Sequence, residues 1–109
     1  MSEEIASLAM RLIFASGNAK STAVQAMQAA EANNLDAARS LIKKAKEQLH
    51  EGHAIQTKLM QDEINGKEVE KSILLIHAQD HFMAADTVIL MADRIIKLYA
   101  QLDKEETVC

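Results

Sequence analysis

The feature that most constrains this chain is its near-freedom from helix breakers: 109 residues contain no proline and only three glycines, Gly17, Gly52 and Gly66. Proline removes a backbone donor and glycine raises the entropic cost of ordering, so their scarcity permits long uninterrupted helices. Ala, Leu, Ile, Met, Lys, Glu and Gln dominate the remainder, and these are good helix formers. Aromatics are confined to Phe14, Phe82 and Tyr99. The core is therefore expected to be aliphatic, with the six methionines filling it.

Periodicity divides the chain into three helices within one domain, residues 1–109. Ile5, Leu8, Ala9, Leu12, Ile13, Ser16, Ala19, Ala23 and Met27 follow i, i+3, i+4 spacing and mark a first helix from about Glu3 to Ala32. Gly17 and Asn18 interrupt its propensity, permitting either a bend or a close helix contact. Asn33 and Asn34 read as a stop and an N-cap, so the second helix begins near Leu35. Its apolar positions are Ala37, Leu41, Ala45, Leu49, Ile55, Leu59 and Met60. Asn65-Gly66 is the strongest turn signal, and the third helix is expected from about Glu68 to Leu102, with KEETVC as a fraying tail. The expected fold is all-α, an antiparallel up-down-up three-helix bundle. Apolar residues beyond one stripe of helix three, among them Ile76, Met83, Ile89 and Leu90, point to an oligomer of unspecified order.

Charge and cysteine content exclude several functions. A formal net charge of −4 without a basic cluster argues against nucleic acid. The single cysteine, Cys109, leaves no disulfide framework and no thiolate cluster for zinc, and at the terminus it reads as incidental. Two glutamates stand where a secretory leader carries positive charge, and no apolar run approaches the roughly 18 residues of a membrane span. A cytoplasmic protein without membrane insertion is expected.

Chemistry concentrates in HAQDHFM, residues 77 to 83. A helical step of about 100° puts His77, Ala84, Val88, Met91, Ile95 and Leu102 within about 40° of one direction, with His81 on the same stripe. Asp80 lies about 60° to one side. Two imidazoles and a carboxylate are thus expected on a buried face, which is costly unless they are paired, metal-bound or chemically used. A histidine on an apolar stripe is more often a hydrogen-bonded core residue, but Asp80 one turn on can orient the ring or hold a cation. The i, i+4 histidine spacing suits a metal, although Ala78 stands where the zincin pattern H-E-x-x-H has glutamate. His50 reads as a surface residue and His53 as a structural hydrogen-bonding one.

LLIHAQDHFM, preceded by QTKLMQDEINGKEVEKS, resembles the IIA component of the lactose/cellobiose (N,N'-diacetylchitobiose) type of the bacterial phosphoenolpyruvate-dependent sugar phosphotransferase system, over nearly the whole chain. The resemblance implies that His77 accepts a phosphoryl group from the carrier HPr through Nε2 and passes it to a cysteine of the IIB component, serving a IIC membrane permease indirectly. It further implies a homotrimer in which Asp80 of each chain shares one Mg²⁺ on the axis. Neutral imidazole is a competent nucleophile near neutral pH, so the residues suit the chemistry. His81 is a candidate to support the phosphorylated ring or the subunit contact, whereas Gln79 points nearly opposite to His77 on an ideal helix and is a candidate only for contact with a neighbouring protomer. Phe82, where leucine is usual, Ala84, where threonine is common, and Asp86 depart from the family pattern. The sugar, within the lactose, cellobiose and chitobiose class, stays open.

Two other classes remain at this level. A histidine phosphotransfer domain of a two-component relay is also helical, but it favours lysine and glycine where Asp80 and His81 stand. A noncatalytic helical module could use its histidines only to bind metal.

Overall fold

The structure, a computed structural model, describes residues 1–108. Three helices account for nearly all of them: α1 (Glu3–Glu31), α2 (Leu35–Ile64) and α3 (Ile73–Val108), with no strand among the described residues. They form an elongated body of 61 × 22 × 18 Å in which α1 packs extensively against both other helices and α2 meets α3 along a narrower seam. The Cys109 expectation falls outside the described residues.

The local sequence explains where each helix begins. Ser2 caps α1, its hydroxyl accepting from the Ile5 N–H at 3.2 Å, with Glu3 and Glu4 on the positive end of the helix dipole. Asn33 takes the left-handed conformation (φ 62°) that ends α1, and Asn34 caps α2 by accepting from the Ala37 N–H. Gly66, at φ 82°, supplies the turn after α2. Helix α3 starts at Ile73 rather than about Glu68, because Ser72 caps it: its hydroxyl accepts from the Leu75 N–H at 3.1 Å. Residues 67–72 run as a connection instead, tied to the start of α1 by the Ser2 N–H donating to Glu70 Oε2 at 2.9 Å. At the other end α3 continues past Leu102 to Val108 instead of fraying.

The core differs from the expected one in two respects. It is built largely from alanine, with Ala9, Ala19, Ala23, Ala26, Ala45, Ala78, Ala85 and Ala92 fully enclosed around Leu12, Leu49, Phe82 and Ile89. Small side chains let the helices approach closely, and that removes the room methionine would fill. None of the six methionines is buried: Met27 only packs partly against the core, while Met1, Met10, Met60, Met83 and Met91 are exposed. Secondly, the buried stripe of α3 is Ala78, Phe82, Ala85, Ile89, Ala92 and Ile96, each one residue beyond the expected His77, His81, Ala84, Val88, Met91 and Ile95. One residue rotates the helix by about 100° and carries the histidines out of the core. On α2 the inward positions include Ala38 and Ile42, with Ala37 and Leu41 at the margin and Met60 outside.

The outward face of α3 is itself apolar, with Ile76, Met83 and Leu90 at 57%, 55% and 61% exposure. For that reason the segment Ile73–Lys104, which contains an 18-residue stretch of mean hydropathy 1.2, is long and apolar enough to cross a bilayer by composition alone. Its aspartates, an arginine and two lysines are spread around the helix, and one side of it forms the core. A helix buried on one face and apolar on the other passes the same test.

Candidate functional site

Helix α3 fixes His77 and His81 one turn apart. Their Nε2 atoms stand 3.0 Å from each other and the rings are perpendicular, centroids 4.4 Å apart. His77 is exposed and His81 half-buried. Two bare imidazole nitrogens at that distance would repel, so the contact requires one Nε2–H donor and one Nε2 lone pair. The expected burial of the pair is therefore corrected to a position on the flank of the bundle: His77 is open to an approaching protein while His81 backs it.

Asp80 lies on the outward face of α3, about 160° round from Ala78 of the core face. It has neither an ion pair nor a hydrogen bond among the described residues. Its neighbours along that face, Ile76, Met83 and Leu90, are apolar. Within one chain, no group of three or more histidine, cysteine, aspartate or glutamate side chains among the described residues could hold a metal.

Gln79 belongs to a different surface. It points across the seam to α2, its Nε2 donating to Gln56 Oε1 at 3.2 Å, and so does not reach His77. The same seam carries His53, with Nε2 3.7 Å from Asp86 Oδ1, and Lys46, with Nζ 3.7 Å from Asp93 Oδ1. His53 also stands edge-on to the Phe82 ring, centroids 5.0 Å apart; it is exposed and makes these ring and charge contacts in place of the expected hydrogen bond. His50 is exposed, as expected. The partnership of Gln56 with Gln79 and the contact of Gly52 with Phe82 were not anticipated; an isolated glycine inside a helical pattern was the available signal for the second.

Sequence comparison gives this constellation its context. Residues 7–100 match the family described as PTS system, Lactose/Cellobiose specific IIA subunit. The chain belongs to that family. It is 38% identical over 105 residues to the lichenan-specific phosphotransferase enzyme IIA component of Bacillus subtilis, covering 96% of each protein. Among solved structures it is similar to the PTS cellobiose-specific enzyme IIA from Bacillus anthracis, with 42% identity, TM-score 0.89 and 95% of each chain covered. It is also similar, at 30% identity and TM-score 0.78 over 94% of this chain and 99% of the other, to the IIA component in the solution structures of the IIA(Chitobiose)–HPr complex of Escherichia coli. The protein is thus a phosphotransferase component of the IIA class for cellobiose-, chitobiose- and lactose-type sugars. As a IIA component it accepts a phosphoryl group from HPr.

Proposed function

We propose that this single-domain, cytoplasmic IIA protein takes a phosphoryl group from phospho-HPr on Nε2 of His77 and delivers it to a cysteine of a IIB component, which serves a IIC permease for a β-linked disaccharide. The observation that carries the proposal is the His77–His81 contact. With His81 as the Nε2–H donor, the lone pair of His77 Nε2 is the acceptor and the His77 proton resides on Nδ1. In the transfer, the N–P bond of the donor phosphohistidine breaks as the bond to His77 Nε2 forms. His81 Nε2–H then has a phosphoryl oxygen to donate to, replacing the bond it gives up. That exchange stabilises negative charge where it develops, which phosphoryl transfer requires more than covalent help.

Assembly follows from the outward face of α3. Ile73, Ile76, Asp80, Met83, Thr87 and Leu90 recur in alternating steps of three and four, the spacing of a coiled-coil seam. Three copies meeting along it would bury Ile76, Met83 and Leu90 and bring three Asp80 carboxylates together. Such carboxylates repel unless protonated or bridged, and a hard divalent ion such as Mg²⁺ suits oxygen ligands. An unpartnered carboxylate amid apolar side chains fits this arrangement, and the ion would supply charge neutralisation at the axis, apart from the phosphoryl step. The up-down-up order of the helices is supported by the seam pairs: Lys46 meets Asp93 while His53 meets Asp86, so α2 and α3 run in opposite senses.

The test is reconstitution with phosphoenolpyruvate, enzyme I, HPr and a IIB component of this class. Phosphoryl label should reach the IIB cysteine only when this protein is present, and a His77→Ala variant should break the chain. Label reaching IIB equally well through His77→Ala would overturn the assignment.

A further inference from the structure

The histidine pair has a second chemistry that phosphoryl carriage leaves unused. Two nitrogen ligands about 2.0–2.1 Å from one divalent ion, at angles between square and tetrahedral, stand about 2.9–3.4 Å apart. The Nε2 atoms of His77 and His81 already stand 3.0 Å apart, on one helix whose backbone fixes their spacing. Neutral imidazole favours borderline transition ions, whereas Mg²⁺ prefers oxygen. The exposure of His77 leaves room for water to complete the shell. With no third protein ligand in the group among the described residues, the ion would exchange rather than lock the fold.

We propose that His77 and His81 together chelate a borderline divalent cation, of which Zn²⁺ and Ni²⁺ are representative, and that this ion competes with the phosphoryl group for His77 Nε2. The competition rests on His77 being the carrier; the chelation does not. Two neutral rings carry one N–H each. On binding, the proton at the His81 Nε2 leaves for solvent and Nδ1 takes one up, so both Nε2 lone pairs face the ion, two bound waters depart and no net proton is released. While the ion is bound, His77 has no lone pair for phosphorus. The site would make carriage sensitive to free transition metal.

Calorimetric titration of Ni²⁺ into the intact protein, with excess Mg²⁺ present to occupy oxygen sites, tests chelation. One ion per chain is expected, with affinity reduced about tenfold or more by His77→Ala or by His81→Ala, at least the scale on which outer-shell changes act. His53→Ala should leave it unchanged. Equal binding by wild type and His81→Ala, with both shown to be folded by circular dichroism, would overturn the site. Transfer from purified phospho-HPr should be slowed by Ni²⁺ in wild type and restored by a chelator. The His81→Ala rate, whatever its absolute value, should respond far less to the ion. Ni²⁺ bound at the pair without slowing wild-type transfer would overturn the competition. Absence of transfer even in metal-free wild type would instead count against the carrier assignment, leaving chelation to be decided by the titration.

Discussion

Gly52 on α2 and Phe82 on α3 are complementary: a Cβ added to Gly52 would stand 3.0 Å from Phe82 Cδ1 and 3.3 Å from Cε1, with Leu12 Cδ1 at 3.4 Å. The missing side chain is the notch in which the one buried aromatic ring sits, at the level of the helix that carries His81. Overpacking a full core costs about 1–3 kcal/mol, and the gain in helix propensity from glycine to alanine offsets about 0.5–1 kcal/mol of it. Gly52→Ala should therefore lower stability by about 1–2 kcal/mol in denaturant melts. Combined with Phe82→Leu the loss should be smaller than the sum of the single changes; strict additivity would show that the two side chains are not coupled. At Gly17 a Cβ would meet nothing within 4 Å, so Gly17→Ala should stabilise by about 0.5–1 kcal/mol.

Ser16 gives a prediction of opposite sign to the usual core substitution. Its hydroxyl is enclosed in α1 without a hydrogen-bond partner. An unsatisfied buried hydroxyl costs about 1–3 kcal/mol relative to an apolar group of similar shape. Ser16→Ala should raise the melting temperature by a few degrees, and a lower melting temperature would show that the hydroxyl is satisfied in solution.

The tie between the α2–α3 connection and the start of α1 should depend on pH. The Ser2 backbone N–H holds the Glu70 carboxyl below the usual glutamate value. Since the folded value is depressed, its stabilising contribution is complete above the unfolded value of about 4.3 and is lost as pH falls through the lower folded value. Carboxyl-detected NMR should give Glu70 a midpoint below that of an ordinary glutamate, with the Ser2 amide reporting the same midpoint. A normal midpoint, with the Ser2 amide insensitive, would remove this tie.

If Asp80 serves assembly alone, Asp80→Asn should separate two properties. Thermal stability of the oligomer should cease to respond to Mg²⁺ and to a chelator, while His77 should still be phosphorylated. Sedimentation velocity establishes the oligomer in both proteins. Loss of transfer from an intact Asp80→Asn oligomer would assign the carboxylate to the chemistry instead.

Helix number, the α1 and α2 boundaries and the HAQDH segment were legible because caps and periodicity are local signals. Ser2, Asn34 and the Asn65-Gly66 turn act within a few residues of their own positions. Ser72, immediately before the apolar run, carried the same signal for α3 and gives its true start. The inward face of α3 was not legible. A helix apolar on two sides has no unique inward direction by hydrophobicity: Val88, Met91 and Ile95 on the expected stripe match Ile89 and Ile96 on the buried one, where Ala78, Ala85 and Ala92 add little signal. Close helix approach chose the alanines, shifting the stripe by one residue and exposing His77. The Gln56–Gln79 and Gly52–Phe82 contacts depend on how α2 sits against α3, which no single helix encodes.

The central claim is that His77, and no other histidine, carries the phosphoryl group. Intact-mass spectrometry after incubation with phosphoenolpyruvate, enzyme I and HPr tests it most directly, on wild type and on the His50, His53, His77 and His81→Ala variants. The account predicts an acid-labile gain of one phosphoryl group per chain in wild type and in the His50 and His53 variants, a slower gain in His81→Ala, and none in His77→Ala. A full gain in folded His77→Ala, or none in folded wild type, would contradict it.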